Sequence, residues 1–290
     1  MTINKTLATA AKQLAHLDSP ELEARLLLSH VLNKPQTWLF THENERINAP
    51  MLSKYFTLIT RRENHVPLAY LTNYKEFWGL GFYVDERVFI PRSDTEALVE
   101  KALSVIAESC RVPRGTAVIS HQSLQGRGIN PATTTELAIA DIGTGCGCIA
   151  ISIAHTLTKN AKLLEKTQSQ ALKTFKIYAT DIDADSLAIA ELNAREILGA
   201  NHSISFLPGN LLSPLPQKVD LIVTNLPYFS EDEYEKSIPE IKHEPKQALI
   251  GGPEGNELIN KLLAQAPQYL TPNGNVIYEC NGGQIRTWPE

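Results

Sequence analysis

Asn225-Leu226-Pro227-Tyr228 follows the apolar run Val219–Thr224. A buried strand ending there carries an amide and an aromatic ring to the carboxyl end of a sheet, where open α/β folds bind ligands. These residue types suit methyl transfer from a sulfonium to a planar nitrogen. An amide nitrogen is a poor nucleophile because its lone pair is delocalised. The Asn225 side-chain oxygen and the Leu226 carbonyl would accept its two hydrogens and leave the lone pair facing the methyl donor. Pro227 forces Leu226 into an extended conformation, which turns that carbonyl into the cleft, and Tyr228 would stack on the planar group. Positioning then supplies most of the catalysis, without a strong general base. A strand-ending Asn-Pro turn is the purely structural alternative.

Upstream lies Leu137-Ala-Ile-Ala-Asp-Ile-Gly-Thr-Gly-Cys-Gly147. Gly143, Gly145 and Gly147 are spaced G-x-G-x-G, with Cys148 where the dinucleotide fingerprint would need its last glycine one residue later. The tighter spacing suits a nucleoside whose amino-acid tail passes over the glycines, where side chains would collide with it. The turn from Asp141 to Gly147, including Thr144 and Cys146, is therefore read as a cofactor loop closed from the other side by Asn225. Asp141 would hold the tail's ammonium group directly or through water, or else merely cap the turn. Asp181, ending the next strand, would accept both ribose hydroxyls. Asp183 and Asp185 are nearby, and Asp185 is better explained as a charge at a helix N-terminus. Asn210 would meet the adenine edge.

The elements that position these residues alternate from 137 to 280. Strands at 137–141, 176–180, 204–206, 219–224 and 275–279 and helices near 148–157, 185–198 and 255–270 predict an α/β, doubly wound, mostly parallel sheet. Residues 112–136 and 158–174 read as polar loops or insertions. Residues 1–72 form a small helical domain. Ser19-Pro20 and Asn48-Ala49-Pro50 are helix starts, followed by apolar faces at Leu22, Leu26, Leu27, Val31 and Leu32, and at Leu52, Phe56 and Ile59. Residues 73–92, with Phe77, Trp78 and Phe82 among glycines, predict a β-hairpin linker, and 93–290 the larger domain. Ser93 and Glu96 fit a capping box.

Composition excludes several classes. The 290 residues carry 27 basic and 32 acidic side chains, a net charge of −5, so no basic excess points to direct nucleic-acid binding. Four cysteines make no disulfide framework in a chain this long, and Cys146 and Cys148 lack further ligands at metal spacing. No secretory pattern opens the chain and no 18-residue apolar run occurs. The expectation is a cytoplasmic, reduced, monomeric protein without membrane or metal.

Taken together, Phe77-Trp78, Ile90-Pro-Arg-Ser-Asp-Thr-Glu96, Asp141–Gly147, Asn225–Tyr228, His243-Glu-Pro, Ala248-Leu249 and Gly251-Gly252 resemble the peptide chain release factor glutamine methyltransferase family, also called HemK or PrmC. The resemblance runs from the Ser19–Leu32 helix to about Gln284. It implies a class I methyltransferase fold with S-adenosyl-L-methionine as donor. The implied acceptor is the glutamine of a release factor's Gly-Gly-Gln loop, docked with help from the helical domain.

Four departures stand out. Leu226 replaces a proline of the family's Asn-Pro-Pro-Tyr, which predicts reduced rather than abolished activity. Asn210-Leu211 replaces an acidic-aromatic pair, so Leu211 joins the cofactor site with weakened adenine contacts. The two polar insertions are unusual. The family continues beyond its fifth strand, whereas this chain ends at Glu290, so the tail reads as truncated. The strand at 275–279 is then expected to be an uncovered edge in a destabilised protein. Gly282-Gly283-Gln284 copies the substrate motif by coincidence. Two other readings stay open. Ribosomal RNA adenine dimethyltransferases carry Asn-Leu-Pro-Tyr at this place, and a relic could bind without turnover.

Overall fold

The computed structural model of the chain describes residues 1–109, 136–165 and 174–289. Five helices come first: α1 (Ile3–Gln13), α2 (Pro20–Leu32), α3 (Gln36–Thr41), α4 (Ala49–Glu63) and α5 (Leu68–Thr72). Thr2 and Asn48 cap α1 and α4 by accepting from the Lys5 and Met51 amides. Ser19 stands at the α2 N-cap with Pro20 behind it, but its side chain makes no capping bond. The buried stripes are also rotated from the expected ones. In α2 they are Ala24, Leu27, Leu28 and Val31, with Leu22 46% exposed. In α4 they are Tyr55, Leu58, Ile59 and Arg62. The helices share one apolar core of their own.

A short hairpin, β1 (Lys75–Phe77) and β2 (Leu80–Phe82), follows. It does not hang free as a linker. Phe77 and Phe82 are buried in the core of the larger unit, the Trp78 amide donates to Glu96 Oε1 at 2.9 Å, and its indole donates to Thr156 at 3.0 Å. This contact displaces the expected capping box. Glu96 faces the hairpin, and Ser93–Thr95 forms a 3-10 turn leading into α6 (Glu96–Ser109).

The larger unit is a six-stranded sheet built from β3 (Leu137–Ile142), β4 (Phe175–Asp181), β5 (Ile204–Pro208), β6 (Val219–Thr224), β7 (Leu270–Cys280) and β8 (Gln284–Trp288). The spatial order is β5-β4-β3-β6-β7-β8, with the first five strands parallel and β8 antiparallel. The crossovers carry α7 (Cys148–Glu165), α8 (Ala184–Leu198), the short α9 (Glu231–Lys236) and α10 (Glu257–Tyr269). Strand side chains alternate between faces. Ile139, Ile177, Leu221 and Ile277 pack under α6, α7 and α8. Ala138, Ala140, Ile142, Ile222 and Val276 pack against α10 and the loop residues Leu212 and Leu215. Both faces are covered, as a parallel sheet requires, although between β5 and β6 a loop replaces the helix.

Two expectations need correction. β7 is not an uncovered edge. The tail turns back through Gly282-Gly283, both at positive φ, and β8 pairs with β7 from Val276↔Trp288 to Cys280↔Gln284. The premise for a destabilised sheet is removed, and Gln284 is held in a strand ladder. α7 also continues to Glu165, so 158–165 is helix rather than loop. Residues 166–173 of that insertion, and 112–135, lie outside the described residues. Among the described residues no helix is long and apolar enough to cross a membrane.

Candidate functional site

At the carboxyl ends of β3, β4 and β6 lies a cavity of about 390 Å3, within the range of small-molecule sites. β3 delivers the glycine turn. The Gly143 and Thr144 amides both donate to the Thr180 carbonyl at 2.9 Å, and the Gly147 amide donates to the Thr144 carbonyl at 2.8 Å, which folds the loop back onto its own helix. At Gly147 (φ +84°) a Cβ would come within 2.8 Å of Ile151 Cδ1 and 3.1 Å of Ala190. Glycine there lets α7 and α8 approach. At Gly145 (φ +55°) a Cβ would meet no protein atom and would project into open space beside the cavity.

Most of the expected site residues line this cavity together: Gly143, Thr144, Gly145, Cys146, Asp181, Asn210, Leu211 and Asn225 through Tyr228. Asp181 Oδ2 accepts from the Gly145 amide at 2.9 Å and Oδ1 from the Asp183 amide at 3.0 Å. Its burial raises its pKa. Leu211, at φ +50°, contributes an apolar wall, and its carbonyl accepts from Thr180 Oγ1 at 3.1 Å.

Asp141 and Gly147 are placed elsewhere. The Asp141 carboxyl is fully buried beneath the loop, accepting from Thr144 Oγ1 at 2.7 Å and the Ala150 amide at 3.1 Å. It does not line the cavity, and the turn-capping place is the one it occupies. Burial pushes its pKa up to about 7. Gly147 serves helix packing, as above.

β6 delivers the second wall. Asn225 Nδ2 donates to Thr95 Oγ1 at 3.1 Å. Leu226 is half of a seam, its Cδ2 only 3.0 Å from where a Gly143 Cβ would stand. Tyr228 donates its hydroxyl to Glu279 Oε1 at 3.3 Å, and burial pushes the phenol up to about 12. The segment behind this turn is fixed by Gly251, whose amide donates to the Phe229 carbonyl. A Cβ on Gly251 would come within 2.3 Å of the Pro227 and Gly255 carbonyls.

Three residues of this neighbourhood carry roles that motif reading did not assign. Glu244 is 4% exposed, pairs with Arg92 and accepts from the Ile90 amide at 3.0 Å. This joins the Pro91–Glu96 turn to His243-Glu-Pro across 152 residues of sequence. Thr95 is 2% exposed and receives Asn225. Glu279 is 3% exposed at the end of β7. A carboxylate closing the apolar run Val276-Ile277-Tyr278 was the signal available for it.

Comparison with known proteins places the chain in a family. Residues 5–72 match the PrmC N-terminal domain, and residues 133–248 match a family described as RMKL-like, methyltransferase domain. A release factor glutamine methyltransferase of Vibrio cholerae is 31% identical over 283 residues, covering 96% of this chain and 84% of that protein. The chain belongs to the release factor glutamine methyltransferase family. A second member, from Yersinia pestis, is 32% identical over 280 residues, with 96% and 86% covered. A bifunctional methyltransferase of Rickettsia typhi is 33% identical over 270 residues, 92% of this chain but 48% of that protein. The chain thus spans about half the length of the Rickettsia bifunctional relatives.

Proposed function

We propose that this chain transfers a methyl group from S-adenosyl-L-methionine to the side-chain amide nitrogen of the glutamine in the Gly-Gly-Gln loop of a peptide chain release factor. The observation that carries the reading is the convergence of Asn225 and Tyr228 with the glycine turn and Asp181 on one cavity. The residues fit the donor. A carboxylate at the end of β4 matches a ribose diol, Ile182 and Leu211 offer apolar walls to a flat base, Asn210 offers an edge, and the bare Cα of Gly145 leaves room for an amino-acid tail. When bound, the donor supplies an electrophilic sulfonium methyl.

The chain's own residues do the rest by positioning. Asn225 Oδ1 and the Leu226 carbonyl accept the two hydrogens of the substrate amide, Tyr228 stacks on its plane, and the nitrogen lone pair is aimed into the cofactor side of the cavity. As the N–C bond forms the C–S bond breaks to leave a thioether, and one of the two amide hydrogens is lost to solvent as a proton. The apolar lining excludes water and strengthens both hydrogen bonds. Asp141 acts from behind, holding the loop's shape. The partner is the release factor, docked against the helical domain by a monomeric enzyme.

Intact-mass analysis of a release factor incubated with the chain and S-adenosyl-L-methionine tests this, beside a factor whose loop glutamine is replaced by alanine. The expected result is one added methyl on the unaltered factor alone. Methyl on both, or on neither while a family enzyme works in parallel, overturns it.

A further inference from the structure

Glu279 has no place in the steps above, yet it is buried directly behind them, in contact with Tyr228. It is 3% exposed, its Oε1 accepts from Tyr228, and its Oε2 is buried with no bonded partner among the described residues. Burial raises its pKa, with Asp94 adding to the effect, while the Thr95 hydroxyl, the Tyr228 hydroxyl and the Asn225 amide favour its charged form. A buried, half-satisfied carboxyl is costly, so its place needs a reason.

The reason lies in the orientation of Asn225. A side-chain amide presents either its oxygen or its NH2 to the cavity, and the two choices have opposite chemistry: only the oxygen accepts a hydrogen from a substrate amide. Thr95 Oγ1 accepts from Asn225 Nδ2, so its own hydroxyl hydrogen is free to point at the neighbouring carboxylate. We propose that Glu279 is a positioning residue that polarises Thr95 and Tyr228 together, draws the Asn225 NH2 away from the cavity and so presents Asn225 Oδ1 and the Tyr228 ring to the acceptor. The inference rests on the function proposed above for its substrate, but not for its geometry. Glu279 touches neither donor nor acceptor and stays behind the wall that does.

The test uses the full chain with Glu279→Gln and Thr95→Val, singly and combined, and Thr95→Ser as the conservative variant. Glu279→Gln lowers kcat at least tenfold, while KM for the release factor and Kd for S-adenosyl-L-methionine stay within threefold. Thr95→Ser keeps activity near wild type. The double variant is no slower than the slower single one, because both act through one amide. An unchanged kcat in Glu279→Gln, or losses that multiply in the double variant, overturns the inference. A readout free of any substrate separates it from the proposed function: the side-chain 15N resonance of Asn225, assigned by its loss in Asn225→Asp. That resonance shifts in both Glu279→Gln and Thr95→Val. If it is the same as wild type in both, the inference fails whatever the substrate. If it shifts but wild type leaves the release factor unmethylated, only the substrate reading falls.

Discussion

Asp141 and Asp181 sit at the same end of adjacent parallel strands, yet their surroundings separate their roles. Asp141 is sealed under the glycine turn, and its pKa of about 7 lies above the ordinary aspartate range of about 4. The native chain therefore holds a proton that the unfolded chain has released. The stability this contributes is complete below about pH 4 and is lost as pH rises through about 7. Asp141→Asn should accordingly gain on wild type as pH is raised from 5 to 8, read as the difference in Tm at each pH; parallel curves would contradict the assignment. Asp181 is only partly buried, fixed by the Gly145 and Asp183 amides and open to the cavity. Asp181→Asn removes a charged acceptor, and S-adenosyl-L-methionine should bind roughly tenfold more weakly or worse, as loss of a charged hydrogen bond predicts, with Tm within a few degrees. The motif itself marked both aspartates but not which faced inward, because a strand-ending residue's direction depends on how the following turn folds back.

At the scale of elements, the helices and strands with strong apolar periodicity were legible. β3, β4 and β6 occupy the residues that their near-continuous apolar runs single out. α2 was legible as a helix but not in phase. Leu26-Leu27-Leu28 satisfies several stripes at once, and tertiary contact chose the one containing Ala24 and Leu28. β8 was not legible at all. Gln284–Trp288 is half exposed, and only the β7 edge beside it makes it a strand. Removing residues 282–290 should therefore bare that edge, lowering Tm and producing concentration-dependent aggregation seen by light scattering. Unchanged Tm and scattering would mean that β8 is dispensable. At the α7–α8 contact, Gly147→Ala should destabilise by about 1–3 kcal/mol through overpacking, added to the strain of a positive φ. Chemical denaturation reads it directly.

Across the whole molecule, the helical domain and the sheet domain are joined by charge as well as by chain. Arg62, 7% exposed on α4, donates to Glu23 within its own domain and, at 3.1 Å, to Glu240 of the other. His65 meets the same Glu240 oxygen at 3.0 Å, and His243 contacts the Asn64 carbonyl at 3.0 Å. Arg62→Met leaves two acids facing each other without their cation, a change expected to cost about 3 kcal/mol. Because the bond crosses between domains, calorimetry should show a broader transition than in wild type, or two. A sharp, unshifted transition would indicate that apolar packing alone holds the domains together.

Asn193 gives the molecule one further property. Its amide is fully engaged: Oδ1 accepts from the Tyr83 amide at 2.8 Å, and Nδ2 donates to the carbonyls of Tyr83 at 3.0 Å and Cys146 at 2.9 Å. The residue after the hairpin and the residue inside the glycine turn therefore share one clamp. Whatever quiets the turn also quiets the hairpin. Saturation at a hundred times Kd raises the free energy of opening by about 2.7 kcal/mol wherever opening releases the ligand. Amide hydrogen exchange at Tyr83 should slow about a hundredfold on adding S-adenosyl-L-methionine at that level, although the hairpin itself never meets it. The clamp thereby makes occupancy of the proposed donor site measurable at a distance, through the protection of a single backbone proton.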